Sequence, residues 1–321
     1  MSKILITGGA GFLGTAIIGT LGTTHDYIVY SRDEAKHLIL KEKFKNTKIK
    51  LKTIIGDVRD NTRLCKVISE EKPSNVVIAH ALKQIKACED NYSECLKTNV
   101  DGTLNVIETC NKVAPFVRKV CFISTDKAVN PCSIYGSSKK ICEQIITQES
   151  NRKGANIKFC SVRYGNVINS TGSVIPLFKK QCQDKKEITV NSIAMTRFLL
   201  DVNQAVYLIA NALFEDVNGI VVPIAVKSAK IIDIARYFVK KYGLPEKAIK
   251  IGIPNHFEKI HETLVSTEEK FDLTTLKNVG MCVVVNNKHG KEVAKNNRQS
   301  NDNDCLMSQE ETFAFLAERG I

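Results

Sequence analysis

Lys3-Ile4-Leu5-Ile6-Thr7-Gly8-Gly9-Ala10-Gly11-Phe12-Leu13-Gly14 is the stretch on which the fold turns. An apolar run of strand character ends in a glycine loop, and a helical pattern, Thr15–Leu21, follows at once. Glycines at 8, 11 and 14 give the spacing G-x-x-G-x-x-G, a variant of the dinucleotide fingerprint. Gly8 permits the tight turn, Gly11 lets backbone approach a pyrophosphate, and Gly14 allows close helix–strand packing. The pyrophosphate then meets the helix N-terminus around Phe12 and Leu13, where free N–H groups and the dipole favour an anion.

Working outward, further strand-like runs occur at Tyr27–Tyr30, Leu51–Ile55, Asn75–Ala79, Lys119–Ser124 and Lys158–Arg163. Helical patterns fill the intervals, as βαβ crossovers require. The first and fourth runs are nearly continuous apolar stretches, which suits parallel strands covered on both faces. The expected class is α/β: a Rossmann-like, doubly wound parallel sheet with a smaller α/β substrate lobe. Residues 1–164 are expected to form the dinucleotide-binding domain. Residues 165–321 are expected to form mainly the smaller lobe, with about 196–220 returning to the first domain. Short strands are read at Lys186–Val190 and Val221–Ile224. The Asn-, Lys- and Asp-rich segment Lys288–Asp304 reads as a mobile loop.

The 321 residues are 43% hydrophobic and 25% charged, ordinary for a globular chain. No apolar run is long enough for a transmembrane helix, and Ile4-Leu5-Ile6 is too short for a signal-peptide core. A cytoplasmic protein without membrane association is therefore expected. The eleven cysteines form no C-x-x-C pair, and Cys121, Cys160 and Cys282 sit in apolar runs. They read as small core residues, with no metal site expected. The net charge of +12 would suit a polyanion. The lysines are scattered, however, and no nucleic-acid motif is present, so phosphate-bearing small molecules are the better match.

The second strand ends in Tyr30-Ser31-Arg32-Asp33. A hydroxyl and a guanidinium at this tip suit the 2′-phosphate of NADP, although Asp33 stands close by. After the third strand, Asp57 and Val58 are placed to hold adenine. Ala79-His80-Ala81 ends the fourth, where Ala79 and Ala81 leave room for the nicotinamide or ribose. His80 reads as a satisfied polar residue at a strand end.

After the fifth strand comes Ser124-Thr125-Asp126-Lys127-Ala128-Val129-Asn130-Pro131, then Tyr135-Gly136-Ser137-Ser138-Lys139. Tyr135 and Lys139 stand at i and i+4 on a helix starting near Ser133, so they share a face. A cation about 4 Å from the phenol contributes roughly 4 kcal/mol at an effective dielectric of 20. That would make Tyr135 a usable base near neutrality. Asp126-Lys127 could supply the second acid and base that elimination of water needs. By residues alone the pair reads equally well as a surface ion pair.

Gly8–Gly14, Tyr30–Asp33, Ala81-Leu82-Lys83, Lys97-Thr98-Asn99 and Ser124–Lys140 together resemble the extended short-chain dehydrogenases. More narrowly, they resemble the inverting UDP-N-acetylglucosamine 4,6-dehydratases and related capsule and flagellin-sugar enzymes. Val162–Val167, Gly172–Phe178, Met195-Thr196-Arg197-Phe198 and Glu258-Lys259-Ile260-His261-Glu262 extend the match, which covers about residues 3 to 270. The resemblance implies a tightly bound NADP that is regenerated in each turnover. Tyr135, held by Lys139, would take the C4 hydroxyl proton; Lys127 would remove the C5 proton; Asp126 would protonate the departing C6 hydroxyl. Thr125 joins this catalytic set. Lys83 and Asn99 would join the cofactor site, and Lys83, Asn166, Ser173, Val174, Arg197 and Glu262 would hold a UDP-sugar. A UDP-sugar 4-epimerase, which shares the Tyr-Lys pair, and a retaining 4,6-dehydratase remain the alternatives. Helices around Ser93–Asn111 and Ser133–Ser150 would pair across a two-fold, giving a homodimer or higher oligomer. Phe257 stands where the family commonly has glycine, and the pattern ends beyond Leu276.

Overall fold

The computed structural model describes residues 2–113, 115–154, 156–184 and 187–321. Six strands come first: β1 (Ser2–Thr7), β2 (His25–Ser31), β3 (Lys50–Ile55), β4 (Asn75–Ile78), β5 (Lys119–Ile123) and β6 (Lys158–Val162). Their ends differ from the runs read in the sequence by two residues at most. They pair in parallel in the order β3-β2-β1-β4-β5-β6. The order reverses between β1 and β4, and that switch point opens a crevice at the carboxyl ends of the strands.

Alternation along β1 sends Leu5 to one face of the sheet and Ile4 and Ile6 to the other. The Ile4 face packs against Ile17 of helix Phe12–Leu21 and Val206 and Ile209 of helix Val202–Phe214. Leu64, Val106 and Ile146, from three further helices, cover the Leu5 face. Each such side chain contributes about 1.5–3 kcal/mol when fully buried. The sheet is thus a two-faced Rossmann core. Nine of the eleven cysteines are buried and unbridged, while Cys132 is exposed.

The second half is more interleaved. Its strands are β7 (Asn166–Val167), β8 (Ile188–Val190), β9 (Thr196–Leu200), β10 (Gly219–Pro223), β11 (Lys227–Lys230) and β12 (Ile249–Ile251). They continue with β13 (Thr263–Val265), β14 (Lys270–Leu276), β15 (Gly280–Val285), β16 (Glu292–Val293) and β17 (Arg298–Gln299). Of the run read at Lys186–Val190, Lys186 lies outside the described residues. β10 adds in parallel to β6, and then β15, β14 and β16 follow antiparallel, so the large sheet has ten strands. Residues 270–293, read as part of the smaller lobe, therefore extend the first sheet. The small sheet β11-β9-β7 and the pair β12-β8 lie toward the other side, over a third core containing Phe178, Leu199, Ile234 and Phe238.

The segment Lys288–Asp304 is not the loose loop expected from its composition. β16 pairs with β14, and β17 pairs with β13. Ser300 is fully buried: its Oγ accepts from the Glu262 amide at 2.9 Å and bonds Thr196 Oγ1 at 2.6 Å. Side-chain and backbone hydrogen bonds order this stretch where apolar burial is scarce, and composition does not report them.

Candidate active site

A cleft of about 1410 Å³ opens at the switch point, with the glycine loop at one end and β8, β9 and Phe257 at the other. Gly8 holds φ at +69°, and a Cβ there would lie 2.7 Å from His80 Cα. A Cβ on Gly14 would overlap the Gly9 backbone. The first helical bond runs from Thr15 N–H to Gly11 O at 3.0 Å, so the Phe12, Leu13 and Gly14 amides remain for a ligand at the helix mouth. These residues, with Gly11 on the cleft wall, fit a dinucleotide pyrophosphate.

The rim of β2 divides its two charges. Asp33 caps helix Glu34–Phe44, accepting the Lys36 amide at 3.0 Å, and pairs with the Lys36 ammonium at 2.8 Å. Arg32 stays half-exposed on the cleft, 3.4 Å from Asp57 Oδ2. Ser31 Oγ lies 2.6 Å from His37 Nε2. Of the neighbouring cofactor candidates, Val58, Ala79, Ala81 and Lys83 line the cleft.

Two candidates do not line it. Asp57 turns its carboxylate to Arg59, with Nη2–Oδ2 at 2.7 Å and Nε–Oδ2 at 3.0 Å. Burial alone would push that carboxyl up, yet Arg59 and Arg32 hold it below the usual range. Asn99 sits fully buried in the π turn Lys97–Asp101. Its carboxamide accepts from Leu82 N–H at 2.8 Å and donates to Leu82 O at 3.0 Å and Ser138 Oγ at 3.1 Å. Both residues brace loops and stand outside the cleft lining. His80 bonds Thr7 Oγ1 at 2.8 Å, and burial pushes its imidazole down to about 3, so it is a neutral strand-end residue.

Across the cleft, Thr125, Lys127, Tyr135 and Lys139 share one wall. Ser133 caps the helix Ile134–Ser150 that carries the last two. The adjacent turn Asp126–Ala128 buries Asp126 completely. Lys127 Nζ donates to Asp126 Oδ1 at 2.9 Å and to Asn166 Oδ1 at 3.1 Å, and stands 3.5 Å from Glu262 Oε1. Thr125 Oγ1 donates to the same Asp126 Oδ1 at 2.9 Å, while Asp126 Oδ2 finds no partner among the described residues. This is no surface pair. Burial works against the Lys127 charge, but Asp126 and Glu262 raise its pKa nonetheless.

Tyr135 departs from expectation. Burial first, and the Asp126 charge second, push its phenol well above 10, with only the Thr125 hydroxyl opposing. The Lys139 amine donates to Ile123 O at 2.9 Å and lies over the Phe122 ring, and burial lowers it to about 8. Shared helix face did not translate into a charge aimed at the phenol.

Toward the far end, Lys83, Asn166, Ser173, Val174 and Arg197 line the cleft, and Ser173 Oγ is buried without a partner among the described residues. Glu262 stands behind this wall, not in it. Its carboxylate is 2.8 Å from Lys259, 3.5 Å from Lys127 and 3.8 Å from Arg197. Burial would raise it, but these three cations bring it down to about 2. Lys259 was quoted in the sequence without a role; only the fold shows that its ammonium also donates to Val129 O, at 2.8 Å.

Residues 4–284 match the family model described as polysaccharide biosynthesis protein. An uncharacterized membrane protein of Methanocaldococcus jannaschii is 35% identical over 302 residues, covering 92% of this chain and 88% of that protein. No helix among the described residues is long and apolar enough to cross a membrane. A UDP-N-acetylglucosamine 4,6-dehydratase (inverting) of Campylobacter jejuni is 34% identical over 275 residues, covering 83% of this chain and 78% of that protein. A UDP-glucose 4-epimerase of Rickettsia rickettsii is 35% identical over 275 residues, with the same two coverages, 83% and 78%. Among solved structures, Pen from Bacillus thuringiensis superposes with a TM-score of 0.87 at 27% identity, covering 99% of this chain and 98% of that one. The chain therefore belongs to the polysaccharide biosynthesis protein family, a branch of the extended short-chain dehydrogenases that includes the inverting UDP-N-acetylglucosamine 4,6-dehydratases.

Proposed function

We propose that this protein is an NADP-dependent UDP-N-acetylglucosamine 4,6-dehydratase that inverts C5. Residues 1–164 would hold the cofactor, and residues 165–321 most of the sugar nucleotide. The Asp126–Lys127 pair carries the proposal: the two side chains lie 2.9 Å apart, Lys127 on the cleft wall with Tyr135 and Asp126 buried behind it. A bound nicotinamide would supply reversible hydride transfer. Arg32 and Ser31 would receive its 2′-phosphate, since Asp33 is occupied by the helix cap and Lys36.

Moving one proton from Lys127 to Asp126 across 2.9 Å changes three things together. Lys127 becomes a free amine able to take the C5 proton of a 4-keto sugar. Asp126 becomes an acid able to protonate the C6 hydroxyl as it leaves. The carboxylate charge that raises the Tyr135 phenol disappears, so the phenolate, the form that takes the C4 hydroxyl proton once the phenol has released its own proton to solvent, is less disfavoured. After elimination Lys127 is again an ammonium and Asp126 a carboxylate. Reprotonation of C5 from the opposite face would give the inverted 4-keto-6-deoxy sugar.

UDP-sugar 4-epimerisation is the second possibility, since equally similar relatives carry that name. It requires no counterpart of Asp126 and Lys127. Incubation with UDP-N-acetylglucosamine followed by mass spectrometry separates the two. Loss of one water supports the dehydratase; a product of unchanged mass supports the epimerase. Exposed Tyr92 and Leu96, and Ile141 on helix Ile134–Ser150, favour burial between two copies. A homodimer or larger assembly is expected in light scattering, and a monomeric mass would refute it.

A further inference from the structure

Lys127 donates hydrogen bonds to Asp126 Oδ1 and Asn166 Oδ1, and Glu262 Oε1 stands 3.5 Å away as an ion-pair partner. Two of these are carboxylates, and both favour the ammonium form. A base at this position must shed its proton before it can act, so whatever weakens the Glu262 charge helps it. Lys259 is placed to do so. Its ammonium lies 2.8 Å from the Glu262 oxygen that faces away from Lys127, and it also donates to Val129 O just beyond the Asp126–Ala128 turn. Lys259 thus ties the segment before β13 to the loop that carries the acid/base pair.

The other charges around Lys127 come from several elements. Arg197 of β9 faces Glu262 at 3.8 Å and opposes the Lys127 charge. Asp126 precedes Lys127 on the same turn. Tyr135, on helix Ile134–Ser150, senses the Asp126 carboxylate from the other side. His261 feels Arg197, and Cys132 feels Lys259, Glu262 and Arg197, farther out. Two carboxylates and three cations therefore share one buried cluster.

We infer that Lys259 and Glu262 are positioning residues that set which member of the Asp126–Lys127 pair holds the shared proton. Lys259 draws the Glu262 charge away from Lys127 and so keeps the amine within reach of deprotonation. Glu262 keeps the ammonium anchored until substrate is in place. This rests on the dehydratase assignment for its consequence, but the proton equilibrium itself exists in the protein without substrate.

Two single variants of one ion pair should then have opposite effects. Lys259→Met removes a positive charge and leaves only Arg197 to offset the pull of Glu262 on Lys127; the Lys127 titration moves up by about one pH unit. Glu262→Gln moves it down by about one unit. Lys259→Arg keeps the charge and restores the wild-type value. The titration is read directly, without substrate, from trace acetylation of the Lys127 amine by acetic anhydride as a function of pH, with peptide mass spectrometry. In the dehydration assay near neutrality, Lys259→Met should lose about tenfold in rate, the factor that one unit of titration implies. Its rate limb should move to higher pH, and that of Glu262→Gln to lower pH.

Shifts in the same direction, or no shift in either variant, would overturn the inference. The double variant Lys259→Met/Glu262→Gln should fall between the two singles, and a double variant outside that interval would also overturn it. If the labelling shifts as stated but the wild type releases no water from UDP-N-acetylglucosamine, the dehydratase assignment fails and the charge relation stands.

Discussion

Arg163 and Lys127 each stand inside the molecule between two carboxylates, yet the two clusters are finished to different degrees. Arg163 is fully buried and spends all of its donors. Nε and Nη2 reach Glu143 at 2.8 Å each, Nη1 and Nη2 reach Glu269 at 2.9 and 2.8 Å, and Nη1 also reaches Leu264 O at 2.8 Å. Lys140, 3.9 Å from Glu269, brings the set to neutrality. Lys127 shares its cluster with two further cations, opens onto the cleft, and leaves Asp126 Oδ2 without a partner among the described residues. A saturated buried network has one arrangement and holds the helix Ile134–Ser150 against β6 and the residues after β13. An unsaturated one keeps a proton that can change owner. Rigidity and chemistry are thus divided between two clusters on either side of one helix.

The largest effect separating them should come from Lys127→Met or Asp126→Asn. Each is expected to slow water loss by about a thousandfold, within the range for removing a general acid or base. The urea midpoint should fall by less than it does for Arg163→Met, because Arg197 and Lys259 still face a carboxylate of the cluster. A loss of stability as large as that caused by substitutions at Arg163 would erase the distinction.

Arg163→Met should act in the opposite sense. It strands Glu143 and Glu269 without a counter-ion and is expected to cost about 3–5 kcal/mol in urea unfolding. A cost below about 1 kcal/mol would mean that the saturated network does not hold the helix.

The first half of the fold was legible because its signals are local. Strand runs of four to seven residues, separated by helical patterns, reproduce β1 to β6, and the glycine spacing sits where the sheet order reverses. The strands from Lys270 onward were not legible. Their alternation is blurred by exposed Leu273 and Met281, and the antiparallel pairing that orders them is non-local. At the site, residue identity placed Lys127, Tyr135 and Lys139 on one wall, with Asp126 buried behind it, but helical spacing could not tell that the Lys139 amine would end on Ile123 O. Sequence carries no sign of which side of a loop a carboxylate occupies, so it cannot show that Glu262 stands behind the wall. Lys259 escaped for the same reason.

A smaller effect belongs to a third kind of charge pair, exposed Arg32 with Asp57 at 3.4 Å. Neither buried nor saturated, it should contribute little to stability and act only on the cofactor. Arg32→Asp is expected to weaken NADP binding by about tenfold to a hundredfold, the worth of one or two charge-assisted hydrogen bonds, with far less effect on NAD. Equal losses in titrations with both dinucleotides would remove Arg32 from the 2′-phosphate site.

The role of the unsaturated cluster can be read from a single proton NMR spectrum of the product formed from UDP-N-acetylglucosamine in deuterated water. Transfer through Lys127 and Asp126 requires a sugar that has lost its C6 hydroxyl and carries deuterium at an inverted C5. A sugar with its hydroxyl intact and protium at C5 would contradict it.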